Sequence, residues 1–169
     1  MTQQDCLILE MLKYDEGMAK QIQHFMKVFY FAHLIGCMEN LPARTQQILE
    51  TAAILHDIGI RNSLQQFGNS AGYNQERLGP PEAKPILEKL GYDAELIERV
   101  CYLIGHHHTY SNIDGLDYQI LVEADFLVNL FEDNESLDAA RSVYNKIFKT
   151  SSGKKLLAQM FFSKELLED

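Results

Sequence analysis

Apolar residues recur every three or four positions along most of the chain, which is the spacing of amphipathic α-helices. This pattern predicts a short helix over about 4–12, a longer one over about 16–37, and a third that starts after Pro42 and runs to His56. Nowhere do apolar and polar residues alternate cleanly over six or more positions, as they do in half-buried β-strands. We therefore predict an all-α fold.

The same periodicity continues through the second half of the chain. It predicts a helix over about 82–90, with Pro80-Pro81 marking its start, and a helix over about 94–107. A strongly apolar helix is predicted over about 116–131.

The last third of the chain has helical spacing but no chemical motif. We expect two amphipathic helices between about 135 and 167, broken near 150–153, whose apolar residues provide packing and a surface for a homodimer. No linker rich in Pro, Gly or Ser divides the chain. We therefore predict one domain over 1–169, with a core over about 16–131 and a C-terminal helical extension over about 135–169.

One stretch departs from this helical spacing of apolar residues. Residues 60–79 are mostly polar and carry three glycines. A loop of this length in a compact domain is usually functional or mobile. We predict a loop that covers the substrate.

Composition narrows the class of protein and its location. The chain has 46% hydrophobic residues, and no apolar run approaches the roughly 18 residues that span a bilayer. It does not start with a basic leader followed by an apolar run. Cys6, Cys37 and Cys101 form no disulfide or zinc pattern and are interpreted as small core residues. These features predict a cytoplasmic protein.

The formal net charge of −9 limits the partners. It argues against a nucleic-acid-binding face and against a membrane-surface role. A small phosphorylated substrate remains compatible with this charge, because bound metal ions would supply local positive charge.

The chemistry of the chain centres on residues 51–60, which read TAAILHDIGI. An apolar helical run ends there in His56 and Asp57, and Gly59 follows at once. Burying an unpaired carboxylate costs several kcal/mol, so these two residues are poor choices for packing. They are good neighbouring ligands for a hard or borderline divalent cation.

A second buried acid is predicted in the later apolar helix. The residues three and four positions from Asp125 are Leu121, Val122, Val128 and Asn129, so Asp125 projects mainly from a core-facing stripe. Buried aspartates are rare unless they pair with a cation or bind a metal ion. A salt bridge is the alternative, and we favour a metal ligand.

Two histidines share the long N-terminal helix. His24 and His33 are nine positions apart, half a turn out of phase, so they cannot both face one site. We assign His24, on the stripe with Val28, to the site and interpret His33 as structural.

The run His106-His107-His108 ends an apolar helix, where one histidine would complement the helix dipole. Three in a row, in a chain with six histidines, are better explained if one or two contact metal or substrate. Successive helical residues point about 100° apart. We expect one metal ligand, a second residue that reaches substrate, and a third that is solvated or supports the others.

These residues together resemble the HD superfamily of metal-dependent phosphohydrolases. The matching segments, in order, are IQHFMKVFYFA, AAILHDIG, VCYLIGHHHT and ILVEADFLVNL, over about 16–131. The resemblance implies an HD-type helical fold in which His24, His56, Asp57 and Asp125 bind a first divalent ion. The ions compatible with such ligands are Mn, Mg, Fe, Co, Ni and Zn.

Some HD branches bind a second metal ion, with histidines from the insert after the His-Asp pair and from a segment like 104–107. This resemblance favours His107 as the ligand within the histidine run. Residues 60–79 contain no histidine, so Glu76 is the candidate substitute, with His106 and His108 as further candidates. Whether one or two ions bind stays open.

Many members of the superfamily place a lysine soon after the His-Asp pair, near the substrate phosphate. Here Ile60 and Arg61 follow Gly59 instead. Arg61 is therefore the candidate phosphate contact, with Arg77 and Lys84 as additional candidates.

The predicted function is metal-assisted hydrolysis of a small phosphoester, such as a nucleotide or a related phosphorylated metabolite. Asp57 would orient the attacking water or bridge two ions, and His107, His108 or His106 would protonate the leaving oxygen or hold phosphate. Two alternatives stay open. One is a dinuclear-iron oxygenase of the HD type, and the other is a non-enzymatic, metal-stabilised regulatory module.

Overall fold

The computed structural model describes residues 1–162, which form nine helices and no strand, so the all-α prediction is confirmed. The helices in chain order are α1 (Gln3–Tyr14), α2 (Ala19–Met38), α3 (Ala43–Leu55), α4 (Ile60–Phe67), α5 (Gly72–Lys89), α6 (Ala94–Ile104), α7 (Leu116–Glu132), α8 (Leu137–Lys146) and α9 (Ser151–Phe161).

The core lies where α2, α3 and α7 meet. Helix α2 packs against both α3 and α7, and α3 also packs against α6. The buried face of α2 includes Phe25, Val28, Ala32 and Ile35, which repeats the predicted three- and four-residue spacing. Helix α7 is buried over most of its length because helices cover it on several sides. The site residues are carried on this central layer.

The C-terminal helices are fixed to α7 through a buried acid. Helices α8 and α9 both pack against α7, and α9 starts after the N-cap residue Thr150, where the helical break was predicted. The fully buried Glu123 carboxylate of α7 accepts hydrogen bonds from the backbone N–H groups of Lys149 and Thr150 and from the Thr150 hydroxyl. The end of the predicted last helix, including Leu166, lies outside the described residues.

The prediction of a loop over 60–79 is wrong. Helix α4 occupies its first part, α5 begins at Gly72, and only residues 68–71 connect them. Ile60 and Ser63 of α4 are buried, Arg61 and Asn62 are partly buried, and residues 64–67 are exposed, so packing of one face outweighs a polar composition. Gly68 ends α4 in the left-handed conformation, with φ 70°.

The prediction that Pro80-Pro81 starts a helix is also wrong, because both lie inside α5. They remove two backbone donors from the helix interior, which packing elsewhere must offset.

Helix α5 packs closely against the segment that follows Asp57. A Cβ at Gly59 would lie 2.8 Å from the backbone oxygen of Gln75 and 2.8 Å from the backbone nitrogen of Gly79. Glycine at position 59 therefore lets α5 cross directly over the segment that follows Asp57.

The structure bears on two expectations drawn from composition, the burial of the cysteines and the lack of a membrane-spanning segment. The three cysteines are free, but none is fully buried, and Cys37 is exposed near the end of α2, where its sulfur lies 3.8 Å from His33 Nε2. The prediction of small core cysteines is therefore wrong for Cys37, whereas Cys101 is partly buried and packs against the core. Within residues 1–162, no helix combines the length and the apolarity that crossing a bilayer would require.

Candidate metal centre

Four side chains from three parts of the fold converge at the centre of the molecule. His24 comes from the second turn of α2, His56 and Asp57 follow directly on α3, and Asp125 lies in the interior of α7. All four are buried, and the most exposed of them, Asp57, is 7% exposed. We call these four residues the primary cluster.

The ligand atoms of the primary cluster have the spacing of atoms around one ion. His24 Nε2 lies 3.1 Å from His56 Nε2 and 3.2 Å from Asp125 Oδ1. Asp57 Oδ2 lies 3.6 Å from His24 Nε2 and 3.5 Å from His56 Nε2. Atoms bound about 2.1 Å from an ion are about 3.0 Å apart at adjacent octahedral positions and about 3.4 Å apart at tetrahedral ones. The observed distances of 3.1–3.6 Å lie within or slightly above this range, and the ligand atoms of His24, His56 and Asp57 all lie within 4.8 Å of one another.

Hydrogen bonds at the far side of each ring fix the histidine tautomers. His56 Nδ1 lies 2.9 Å from the backbone oxygen of Ala53, which can only accept, so Nδ1 carries the hydrogen and Nε2 presents a lone pair. Glu132 Oε2 lies 3.1 Å from His24 Nδ1 and selects the same tautomer there. Two nitrogen lone pairs and two carboxylates therefore face one point.

The electrostatics of the primary cluster favour a positive charge at that point. Burial lowers the pKa of His24, but its hydrogen bond with Asp125 and the charges of Asp57 and Asp125 outweigh burial and raise it to about 9. Burial raises the pKa of Asp57, but the charge of His56 and the hydrogen bonds with His107 and His108 hold it well below its usual range. Either a proton on His24 or a divalent ion would supply this positive charge.

A second set of ligands lies on the other side of Asp57. Asp57 Oδ1 is 3.0 Å from His107 Nε2 and 3.8 Å from His108 Nε2, and these three residues are close enough together to hold an ion. We call Asp57, His107 and His108 the secondary cluster. His107 Nδ1 lies 2.8 Å from the backbone oxygen of Ile104, so this ring is also held by a carbonyl. The two oxygens of Asp57 thus face different clusters.

The histidine run is not helical, contrary to the predicted helix over 94–107. Helix α6 ends at Ile104, and Gly105 is its C-cap residue. His106, His107 and His108 lie in the turn that follows. Their side chains therefore do not follow the 100° helical rule, and His107 and His108 both reach Asp57.

Two predicted second-metal ligands lie outside the secondary cluster. The His106 ring stacks on Tyr102 at 4.2 Å, and its Nδ1 lies 2.7 Å from the Tyr102 backbone oxygen, so it faces away from Asp57. Glu76 Oε1 accepts hydrogen bonds from the His108 backbone N–H and from the Thr109 hydroxyl. Glu76 therefore stabilises the turn that carries the histidines.

The three predicted phosphate contacts are not brought together at the clusters. Arg61 donates to the backbone oxygen of Glu16 at 2.8 Å, because the helical geometry of α4 turns its side chain toward the end of α1. Arg77 is exposed and lies over the rings of Phe67 and Tyr73. Lys84 lies on the outer face of α5, 3.9 Å from Glu88. The structure therefore does not bring the three candidates together, and their role as substrate contacts stays a prediction.

His33 lies on the opposite side of α2 from His24. Its side chain is half-exposed, and Nδ1 lies 2.7 Å from Glu50 Oε1. This position agrees with the structural role proposed for it and makes His33 a useful control residue.

The residues that support the ligands were not predicted from the sequence. Glu132, held by Lys27, contacts His24, and Gln75 contacts His108. Gln21 Nε2 lies 3.4 Å from Asp57 Oδ2. Glu132 follows Asp125 by seven positions, two helical turns, so the helical repeat contained a signal for it. The position of Gln75 was hidden by the prediction of a loop.

Comparison with known proteins supports this architecture. A family model described as HD domain matches residues 22–149. The chain is also similar to a predicted HD superfamily hydrolase from an uncultured Thermotogales bacterium, whose crystal structure aligns with TM-score 0.65 at 24% sequence identity. The alignment covers 95% of this chain and 84% of that one. At this identity the likeness bears on the fold alone. No curated protein matches the chain significantly.

Proposed function

Because the chain belongs to the HD domain family, we propose that it is a metal-dependent hydrolase of a small phosphoester, such as a nucleotide or a related phosphorylated metabolite. The observation that carries the proposal is the convergence of four buried ligand atoms in the primary cluster. Two of them are imidazole nitrogens whose hydrogens are drawn to the opposite side of the ring. Such a set is costly to bury without a cation and is well suited to one.

The donor set fits a borderline or hard divalent ion. Two imidazoles and two carboxylates suit Mn, Fe, Co, Ni or Zn better than they suit a soft ion, and they do not exclude Mg. A bound divalent ion would lower the pKa of a water molecule and polarise a phosphoryl oxygen. His24, His56, Asp57 and Asp125 would hold it.

Asp57, His107 and His108 are the candidates for the remaining catalytic roles. Asp57 presents Oδ2 to the primary cluster and Oδ1 to His107, so it is placed to orient a water molecule between the two sides. His107 and His108 lie next to that carboxylate, and His108 is partly exposed to solvent. Either ring can deliver a proton to a leaving oxygen that enters from solvent.

An open surface cleft of about 360 Å³ lies between the first turn of α2 and α4, and Lys20, Gln21 and Leu64 contribute to its lining. Gln21 also contacts Asp57, which connects the cleft to the primary cluster. Lys20 forms no ion pair within residues 1–162, so its charge is free for an anionic substrate. The cleft is near the lower end of the size range of small-molecule sites, which favours a small ligand.

The test is phosphate release by the purified chain, after loading with Mn²⁺, from a panel of nucleotides and other phosphomonoesters and phosphodiesters. Wild type should release phosphate or a nucleoside product in a metal-dependent way. Asp57→Ala should lose both metal and activity, since it removes a residue common to both clusters. His33→Ala should retain both, because His33 contacts only residues away from the clusters.

A wild-type chain that binds metal stoichiometrically but hydrolyses no member of the panel would contradict the proposed activity. It would instead favour a role in which the ion only stabilises the fold.

A further inference from the structure

The secondary cluster raises the question of a second ion. Asp57, His107 and His108 are close enough to surround one, provided that both imidazoles present a lone pair. A ring nitrogen that carries a hydrogen cannot coordinate a metal ion. The tautomer of each histidine therefore decides how many ligands the secondary cluster offers.

Gln75 determines the tautomer of His108. The Gln75 amide nitrogen lies 2.6 Å from the backbone oxygen of Ser70 and must donate there, because a carbonyl oxygen can only accept. The amide oxygen then faces His108 Nε2 at 2.9 Å. An oxygen acceptor at this distance requires that His108 Nε2 carry the hydrogen. The nitrogen nearest to Asp57 is therefore a donor and is unavailable as a ligand.

The beginning of α5 also prevents the His108 ring from turning away. A Cβ at Gly72 would lie 2.8 Å from His108 Cγ, so the bare backbone of Gly72 lies directly against the ring. Glu76 accepts the His108 backbone N–H at 3.0 Å and fixes the main chain. Gln75 itself is only 6% exposed, so water competes poorly for its amide oxygen. Turning the ring would break these contacts together.

We propose that Gln75 keeps His108 as a hydrogen-bond donor and thereby limits the centre to one metal ion. The secondary cluster is left with two protein ligands, Asp57 and His107, while the primary cluster offers four. This inference rests on the metal centre of the proposed function, and it adds the number of ions and the residue that sets it. Gln75 is a positioning residue, since it acts on metal binding through His108.

The direct test is the number of Mn²⁺ ions bound by the full-length chain, measured by titration calorimetry and by elemental analysis after gel filtration. Wild type should bind one ion. Gln75→Met keeps the length of the side chain but removes the acceptor, so the contact that places the hydrogen on His108 Nε2 is lost. This variant should bind two ions, and its affinity for the second ion should be at least about tenfold above any residual affinity of wild type for a second ion, the size typical of residues that orient metal ligands.

Two controls separate this effect from a general loosening of α5. Ser70→Ala keeps the backbone carbonyl that orients Gln75, so this variant should still bind one ion. Combining Gln75→Met with His108→Ala should return the count to one, because the second ion needs His108. In Gln75→Met, electron paramagnetic resonance should show two coupled Mn²⁺ ions, since paired sites are about 3.5–4 Å apart.

A measurement on wild type alone gives an independent answer if a variant does not fold. Long-range proton–nitrogen NMR of the chain loaded with Zn²⁺ should place the hydrogen of His108 on Nε2 and that of His56 on Nδ1. A His108 ring with its hydrogen on Nδ1 would overturn the inference.

The remaining outcomes distinguish this inference from the proposed function. Two tightly bound ions in wild type, or a single ion in Gln75→Met, would overturn the role of Gln75 while leaving hydrolysis possible. One ion in wild type and two in Gln75→Met, with no phosphoester hydrolysed, would support the inference and contradict the proposed function. A wild-type chain that binds no ion would contradict both.

Discussion

Replacing Glu132 with alanine should weaken metal binding without removing a metal ligand. Glu132 Oε2 lies 3.1 Å from His24 Nδ1, and its other oxygen pairs with Lys27. Burial raises the pKa of Glu132, but Lys27 and His24 outweigh burial and hold it below its usual value, so the side chain is ionised at neutral pH. The carboxylate therefore both fixes the tautomer of His24 and increases the basicity of its Nε2.

The size of the effect follows from this geometry. Losing the carboxylate behind a metal-bound histidine typically costs 10–100-fold in metal affinity, or about 1.4–2.7 kcal/mol. Glu132→Gln retains an oxygen that accepts from His24 but loses the charge, so its loss should lie near the lower end of that range. Lys27→Met leaves Glu132 against His24. Since the Lys27 side chain is 39% exposed, its loss should change affinity by about threefold or less.

The assay is competition for Mn²⁺ or Zn²⁺ against a fluorescent chelator at pH 7.5, with circular dichroism to verify folding. The expected order of affinity is wild type, Lys27→Met, Glu132→Gln and then Glu132→Ala. A wild-type dissociation constant in folded Glu132→Ala would refute the orienting role of this carboxylate. An equal loss in Lys27→Met would show that surface charge, rather than the contact with His24, controls the affinity.

Three further predictions concern the ion, one of its ligands and a buried acid outside the clusters. Chelation should lower the melting temperature by roughly 8–16 °C in a thermal melt, since an ion at 1,000 times its dissociation constant contributes about 4.1 kcal/mol. Asp125→Asn should abolish stoichiometric metal binding in elemental analysis yet retain helical circular dichroism, because the amide keeps the shape but not the charge. Burial raises the pKa of Asp15 to about 6, although Arg61 acts in the opposite direction, and Asp15 Oδ2 accepts no hydrogen bond from residues 1–162. A raised carboxyl pKa gives stability that is complete below about pH 3.8 and is lost as pH rises through about 6. Asp15→Asn should therefore be more stable than wild type by about 1–3 kcal/mol at pH 8 and equal to it near pH 4, as urea unfolding at both pH values would show.

The sequence contained signals for the primary cluster because its two acids break a local rule. Asp57 and Asp125 are acids in apolar helical surroundings, and the helical phase separates His24 from His33. The fold class follows from the same periodicity. None of these signals requires knowledge of which helices touch.

The sequence did not reveal features that depend on packing between helices. Residues 60–67 are rich in polar side chains, and their helix is recognisable only from the face that Ile60 and Ser63 bury. Arg61 is four residues from Asp57, yet its side chain turns toward α1, so closeness in sequence did not predict closeness in space. Gln75 and Glu132 were missed for a related reason. Each is an ordinary polar residue until a histidine from another part of the chain lies against it.

The most direct test of the metal centre is an anomalous difference map from crystals of the chain loaded with Mn²⁺. We expect a peak enclosed by His24 Nε2, His56 Nε2, Asp57 Oδ2 and Asp125 Oδ1, about 2.1 Å from each. Crystals of soluble, folded protein that show no peak there, or that bind the ion only at other residues, would contradict it.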